Sequence, residues 1–126
     1  MINDNSFYSV VLLKESIVSE IKNTDDTKVF EESIILVKLK EDFFQGKSQE
    51  KLLLYFNEHI PSLEYINSYG EVVMSNIVKV IDYFQVLDPI ETENFTEIYS
   101  KHFIEKIGTT IEDIINKYYG GYVFRE

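Results

Sequence analysis

Along the first forty residues the apolar positions do not follow a helical period. In SFYSVVLLKESIV, residues 6–18, Phe7, Tyr8, Val10, Val11, Leu12 and Leu13 are aromatic, β-branched or aliphatic, which favours a strand. In EESIILVKLK, residues 31–40, Ile35, Val37 and Leu39 alternate with Ile34, Leu36, Lys38 and Lys40. Successive side chains of a strand point to opposite faces, so this segment has one apolar and one mixed face. Such a strand belongs in an antiparallel sheet covered mainly on one side. Between the two lies KNTDDTK, residues 22–28, polar and rich in turn formers, which predicts a turn or loop.

From Ser48 the period changes. Leu52, Tyr55, Phe56, His59 and Ile60 recur at three- and four-residue spacing and predict an amphipathic helix. Ser48 is its expected N-cap, and Pro61, with no amide hydrogen to donate, marks its end. YINSYGE, residues 65–71, reads as a loop or tight turn around Gly70. VVMSNIVKVIDYFQVL, residues 72–87, is a long strand with a break or bulge expected near Ser75 and Asn76. DPIETEN (88–94) has turn chemistry, and TEIYSKHFIEK (96–106) is a fourth strand, the natural hairpin partner of the third.

A second helix is marked by the capping-box spacing of Thr109 and Glu112, by the stripe Ile111, Ile114, Ile115 and Tyr118, and by Gly120 as its stop. The tail YVFRE reads as a short edge strand or an ordered arm. The expected fold is therefore α+β: a four-stranded, mainly antiparallel sheet in β-β-α-β-β-α order with helices packed on one face. No repeat, low-complexity tract or Pro/Gly-rich linker divides the chain, so residues 1–126 are read as a single domain.

Composition narrows the function classes. Hydrophobic residues make up 44% of the chain, enough for a packed core rather than wholesale disorder. No apolar run approaches the roughly 18 residues of a membrane span, and MINDNSFYSV lacks the basic start and cleavage site of a signal peptide. A cytoplasmic protein is expected, and the absence of cysteine fits a reducing compartment and excludes thiolate chemistry. The net charge of −10 repels phosphate backbones and anionic lipid, which argues against nucleic-acid and membrane partners and is compatible with a basic protein partner. Alanine is absent while Ile, Lys, Asn, Tyr and Phe abound, a composition that fits an AT-rich bacterial coding sequence.

Candidate chemistry rests on a few acids and one loop. Glu31 and Glu32 precede the apolar run of the second strand, but adjacent strand residues face opposite ways, so they form no dyad with each other. Either can work with a carboxylate from another element, or pair with a lysine across the sheet. Asp82 shares its expected face with Val78, Val80, Phe84 and Val86, so regular pairing leaves an acid among apolar neighbours that needs a partner. A bulge before it would turn it to solvent instead. In YINSYGE, Tyr65, Asn67, Tyr69 and Glu71 either frame a ligand or partner site or build a turn in which Gly70 takes a positive backbone angle and Asn67 caps local amides.

Catalytic and metal signatures are missing from the sequence. His59 and His102 have no second histidine or cysteine at ligand spacing, no loop has EF-hand spacing, and no serine sits in a G-x-S-x-G context. No metal and no cofactor are expected.

Several pieces occur in an order that carries a family resemblance: FYSVVLLKESIV, FEESIILVK, YINSYGEVV, VKVIDYFQVLD and EIYSKHF. Within them stand Glu31, Glu32 and Ser33; Tyr65, Asn67, Gly70 and Glu71; Asp82; and Glu97, Tyr99 and Ser100. Over roughly residues 7 to 103 the chain resembles the small bacterial family called domain of unknown function 4288. It departs from that pattern in SQEKLLLYFNEHI, where family members often carry an alanine-rich helix. The resemblance implies a bacterial α+β domain and implies no activity.

The reading that results is a non-enzymatic protein-binding module of a bacterium. Its sharpest form is an immunity or antidote protein that masks a basic toxin. Glu31, Glu32, Tyr65, Asn67, Tyr69, Glu71, Asp82 and Tyr99 are its candidate partner- or ligand-binding residues. Two alternatives stay open: a small enzyme or ligand-binding domain using convergent carboxylates, and a structural homo-oligomeric subunit, a homodimer included.

Overall fold

A computed structural model describes residues 5–18, 27–60, 62, 64–87 and 92–123. Its centre is an antiparallel pair, β1 (Asn5–Val18) with β2 (Thr27–Lys40), in which Tyr8 lies opposite Val37 and Val10 opposite Ile35. Paired residues share a face, so Tyr8, Val10, Leu12, Ile35, Val37 and Leu39 form one buried layer. The polar loop expected at 22–28 lies largely outside the described residues, and its last two residues, Thr27 and Lys28, already belong to β2.

A helix, α1 (Gln49–His59), covers that layer with Leu52 and Phe56, both fully buried. Each such side chain contributes about 1.5–3 kcal/mol by leaving water. Ser48 caps the helix as expected, its hydroxyl accepting from the Lys51 amide. The expected end at Pro61 lies outside the described residues.

The next strands correct the sequence reading. YINSYGE is not only a turn: Tyr65–Ile66 forms a short strand, β3, hairpinned to β4 (Val72–Gln85). The sheet therefore has five strands, in the order β3-β4-β1-β2-β5, with every pairing antiparallel. The fifth, β5 (Thr96–Lys106), does not pair with β4 as a hairpin partner would. The β1–β2 hairpin occupies the centre, and the two later strands add to its opposite sides, β4 beside β1 and β5 beside β2. Asn94 marks the arrival at the far side, its side-chain oxygen accepting from the Lys38 amide of β2.

The bulges also fall elsewhere than expected. Asn76 and Ser75 pair regularly with Glu15 and Ser16, whereas Ile81 and Val78 are the extra residues as β4 follows β1. Each extra residue raises the local twist and curls the sheet.

The second helix, α2 (Ile111–Tyr119), begins one residue later than the capping-box spacing predicted. Thr110 and Asp113, rather than Thr109 and Glu112, exchange the two cap bonds. Gly120 ends it in the left-handed conformation, at φ 61°. Its Ile114 and Ile115 pack with Leu13, Phe30, Ile81 and Phe103. Those residues stand on the face opposite Val10 and Leu12, so the helices do not share one face of the sheet. Alternation hid this: the positions read as a mixed or solvated face hold a second, smaller apolar layer. Tyr122 and Val123 of the tail are in no strand, and residues 124–126 lie outside the described residues. Among the described residues no helix is long and apolar enough to cross a membrane.

Candidate functional site

The β3–β4 hairpin is built by one asparagine. Asn67 accepts the Tyr69 and Glu71 amides on its side-chain oxygen, each at 3.0 Å, and its own amide donates to the Glu71 carbonyl at 3.1 Å. Gly70 closes the loop at φ 76°, a conformation glycine adopts without a Cβ penalty. The Asn67 side-chain amide then donates to Glu71 Oε1 at 2.7 Å, and Glu71 is only 1% exposed. The turn chemistry expected of Gly70 and Asn67 is therefore present, and it fixes a buried carboxylate at the start of β4.

Glu71 is one of the residues around a cavity of about 510 Å³. The cavity lies between the hairpin and the adjoining ends of β1 and β2, with Ile107 beyond β5 adding to its wall. Tyr65, Asn67, Tyr69 and Glu71, all singled out in the sequence, line it together. Glu15 and Lys28 contribute opposite charges, 3.7 Å apart, and Ile17, Val29 and Val73 supply aliphatic surface. Sequence reasoning named the loop but not its facing strand ends, because pairing register brings Glu15 and Lys28 there.

The other candidates stand elsewhere. Glu31 faces Lys14 at 3.7 Å and the exposed His102 imidazole at 3.2 Å on one side of the sheet. Glu32, on the other side, accepts from the Tyr119 hydroxyl at 3.1 Å. Burial, and after it the nearby Glu32 carboxylate, pushes the Tyr119 hydroxyl well above its ordinary range. Tyr99 lies exposed on β5, opposite Ile34.

Asp82 follows the bulge at Ile81, so it no longer shares a face with Val80. It is half-buried opposite Val11, accepts from the Tyr83 amide at 2.8 Å, and bonds the Tyr122 hydroxyl. Burial, then Asp82, raises the Tyr122 hydroxyl in turn. Glu31, Glu32, Glu71 and Asp82 thus take separate partners, and the structure does not gather them into one constellation.

Two groups remain: Tyr65, Asn67, Tyr69 and Glu71 at the cavity, and Glu31, Glu32 and Tyr99 on the β2–β5 pair. The second group adjoins an edge of the sheet. Along β5 only Phe103 is buried, with Thr96 and Glu105 half-buried and every other position exposed. Ile98, Tyr99 and Ile104 are among the exposed residues, Ile104 at 69%. Among the described residues no strand pairs with its outer side.

The outer side of β4, beyond the two residues that pair with β3, is different. The Gln49 side chain of α1 donates to the Val80 carbonyl at 2.7 Å and accepts from the Val80 amide at 3.0 Å. Asn57 does the same for Ile77, at 3.1 and 3.3 Å, and the Ser62 hydroxyl for Ser75, at 2.8 and 3.2 Å. Sequence reasoning missed these three residues, which sit among ordinary polar positions and carry no spacing signal of their own.

α2 braces β5 from its face rather than its edge. Tyr118 stacks on Phe103 with ring centroids 4.1 Å apart, and Lys117 reaches Glu105 at 2.9 Å. The Tyr118 hydroxyl also bonds Glu105. That hydroxyl first, and Lys117 after it, holds the Glu105 carboxyl below its ordinary range. No family model matches the chain, and none of the curated proteins or solved structures compared with it matches either.

Proposed function

We propose that this chain is a non-enzymatic protein-binding module that takes an extended segment of a basic protein along β5, as an antidote does when it masks a toxin. The observation that carries the reading is the eleven-residue β5 edge, without a partner strand among the described residues and with exposed apolar side chains on both of its faces. Tyr99 lies on the α2 side, opposite Ile34, and Ile104 on the other, opposite Val29. A strand added to such an edge gains main-chain hydrogen bonds, while alternate side chains supply selectivity. The chain's charge of −10 speeds encounter with a basic partner and disfavours an acidic one. Glu31 on β2 adds a carboxylate beside β5 and Glu97 one on β5 itself, Glu97 accepting from the buried Ser33 hydroxyl.

The test is hydrogen exchange of the full chain with a ten-residue Lys/Val/Thr peptide and with its Glu/Val/Thr counterpart. The expected result is added protection of β5 amides by the basic peptide alone, weakened by salt and abolished by Ile104→Lys. No protection at β5, or equal protection by the acidic peptide, overturns the proposal. Protection of β5 that grows with protein concentration in the absence of peptide also overturns it, because the edge then belongs to a second copy.

A further inference from the structure

A strand added to β5 meets two unlike sides, and the difference sets the pattern of residues it must carry. We infer, resting on the edge reading above, that the bound segment carries a basic and an aliphatic residue four positions apart. Both face the α1 side, and the residues next to them, on the α2 side, are small. Ile98 sets where the segment ends. It is the extra residue between Glu97, opposite Ile35, and Tyr99, opposite Ile34, whereas residues 99–106 pair with β2 in unbroken register. A bulge twists an edge and terminates regular pairing, so the added strand runs along 99–106.

Alternation puts Ser100, His102, Ile104 and Lys106 on the α1 side, and Tyr99, Lys101, Phe103 and Glu105 on the α2 side. Every residue of the first set is exposed, Ile104 at 69%. In the second set Phe103 is only 5% exposed, although it stands on the outermost strand. Tyr118 stacks on it, and Tyr118 and Lys117 together hold Glu105 beside it. A residue added opposite Phe103 sits about 5 Å from it, and the filled flank leaves room only for a small one.

Charge separates the two sides as well. On the α2 side the exposed Lys101 repels a cation, and Glu105 is already paired with Lys117. On the α1 side Glu97 reaches Ser33, the residue opposite Ser100, and joins none of the ion pairs among the described residues. A lysine or arginine set opposite Ser100 passes over that short side chain toward the carboxylate, neighbouring strands standing about 4.8 Å apart. The position opposite Ile104 is four residues along the partner, on the same side, and suits an aliphatic side chain.

The test is NMR titration and hydrogen exchange of the full chain with two peptides of the same composition, one lysine and one valine in a serine and threonine background. In the first peptide the lysine and valine are four positions apart and share a side of the strand. In the second they are three apart and face opposite sides, whatever register the peptide adopts. The first is expected to bind about tenfold tighter, with added amide protection confined to residues 99–106. Glu97→Gln, which keeps an acceptor for Ser33, should weaken the first peptide by about threefold to tenfold. Equal binding of the two peptides, protection that continues through Ile98 to Thr96, or unchanged affinity in Glu97→Gln each overturns the inference and leaves the edge reading standing. Absence of β5 protection with either peptide overturns the edge reading itself, and the inference with it.

Discussion

Past the two-residue β3, the outer side of β4 is as free of a neighbouring strand as that of β5 among the described residues, yet α1 and Ser62 close the first through its backbone while α2 braces the second only through its side chains. At β4, three polar side chains satisfy both the amide and the carbonyl of Ser75, Ile77 and Val80. At β5, the helix contacts fall on Phe103 and Glu105, and the outer edge is left to solvent among the described residues. A helix can stand in for a strand only if its spacing matches. Gln49 and Asn57 are eight residues apart, about 12 Å along a helix, and Val80 and Ile77 are three apart, about 10 Å along a strand. Three residues of regular strand would put these two on opposite edges. The extra residue Val78 brings both to the outer edge. The bulge and the helix amides therefore work as one device.

The largest expected effect comes from breaking that device. Gln49→Leu should cost about 2–4 kcal/mol, because it strips the partners from both backbone groups of the fully buried Val80. Urea unfolding measures the loss, and hydrogen exchange should show the Val80 amide released first. Ile104→Thr on β5 is the matched control and should change stability by no more than about 0.5 kcal/mol. Equal costs at the two edges would mean that α1 contributes nothing beyond its apolar packing.

An intermediate effect is expected at the face contact of α2. Tyr119→Phe removes the bond to Glu32 and should cost about 1 kcal/mol at neutral pH. Its pH dependence is the sharper reading. The folded state raises the Tyr119 hydroxyl above its ordinary value of 10.0, so the unfolded chain loses that proton first. The resulting stability is complete below pH 10 and is lost as pH rises beyond it. Melting temperatures between pH 8 and 11 should fall more steeply in the parent than in Tyr119→Phe. Parallel curves would show that α2 is not held through this hydroxyl.

How much of this was legible beforehand follows the same division. Local rules worked where one segment decides its own shape: Ser48 and Gly120 bound their helices, and Thr96–Lys106 is the strand its pattern predicts. They failed where distant segments choose one another. Nothing in VVMSNIVKVIDYFQVL or TEIYSKHFIEK says that the two strands add to opposite sides of a central hairpin. Phe30 and Phe103 look like isolated aromatics until α2 joins them in a second layer. The candidate residues divide likewise. Tyr65, Asn67, Tyr69 and Glu71 lie close in sequence and stay together at the cavity, whereas the acids drawn from separate strands disperse.

The smallest expected effect is at Glu105, where the face brace meets solvent. The Tyr118 hydroxyl and then Lys117 hold this carboxyl below its ordinary value of 4.5. The Thr110 amide and hydroxyl likewise hold Asp113 below 3.8 at the opposite end of α2. A carboxyl depressed in the fold is protonated first in the unfolded chain, so its contribution is present above its ordinary value and lost as pH falls through the depressed one. Glu105→Gln should therefore flatten the acid limb of stability against pH, while Asp113 keeps part of that limb in place. The effect should shrink in high salt, because the Lys117 side chain is 61% exposed and the pair is screened. An acid limb unchanged by Glu105→Gln would assign the bracing of β5 to the Tyr118–Phe103 stack alone.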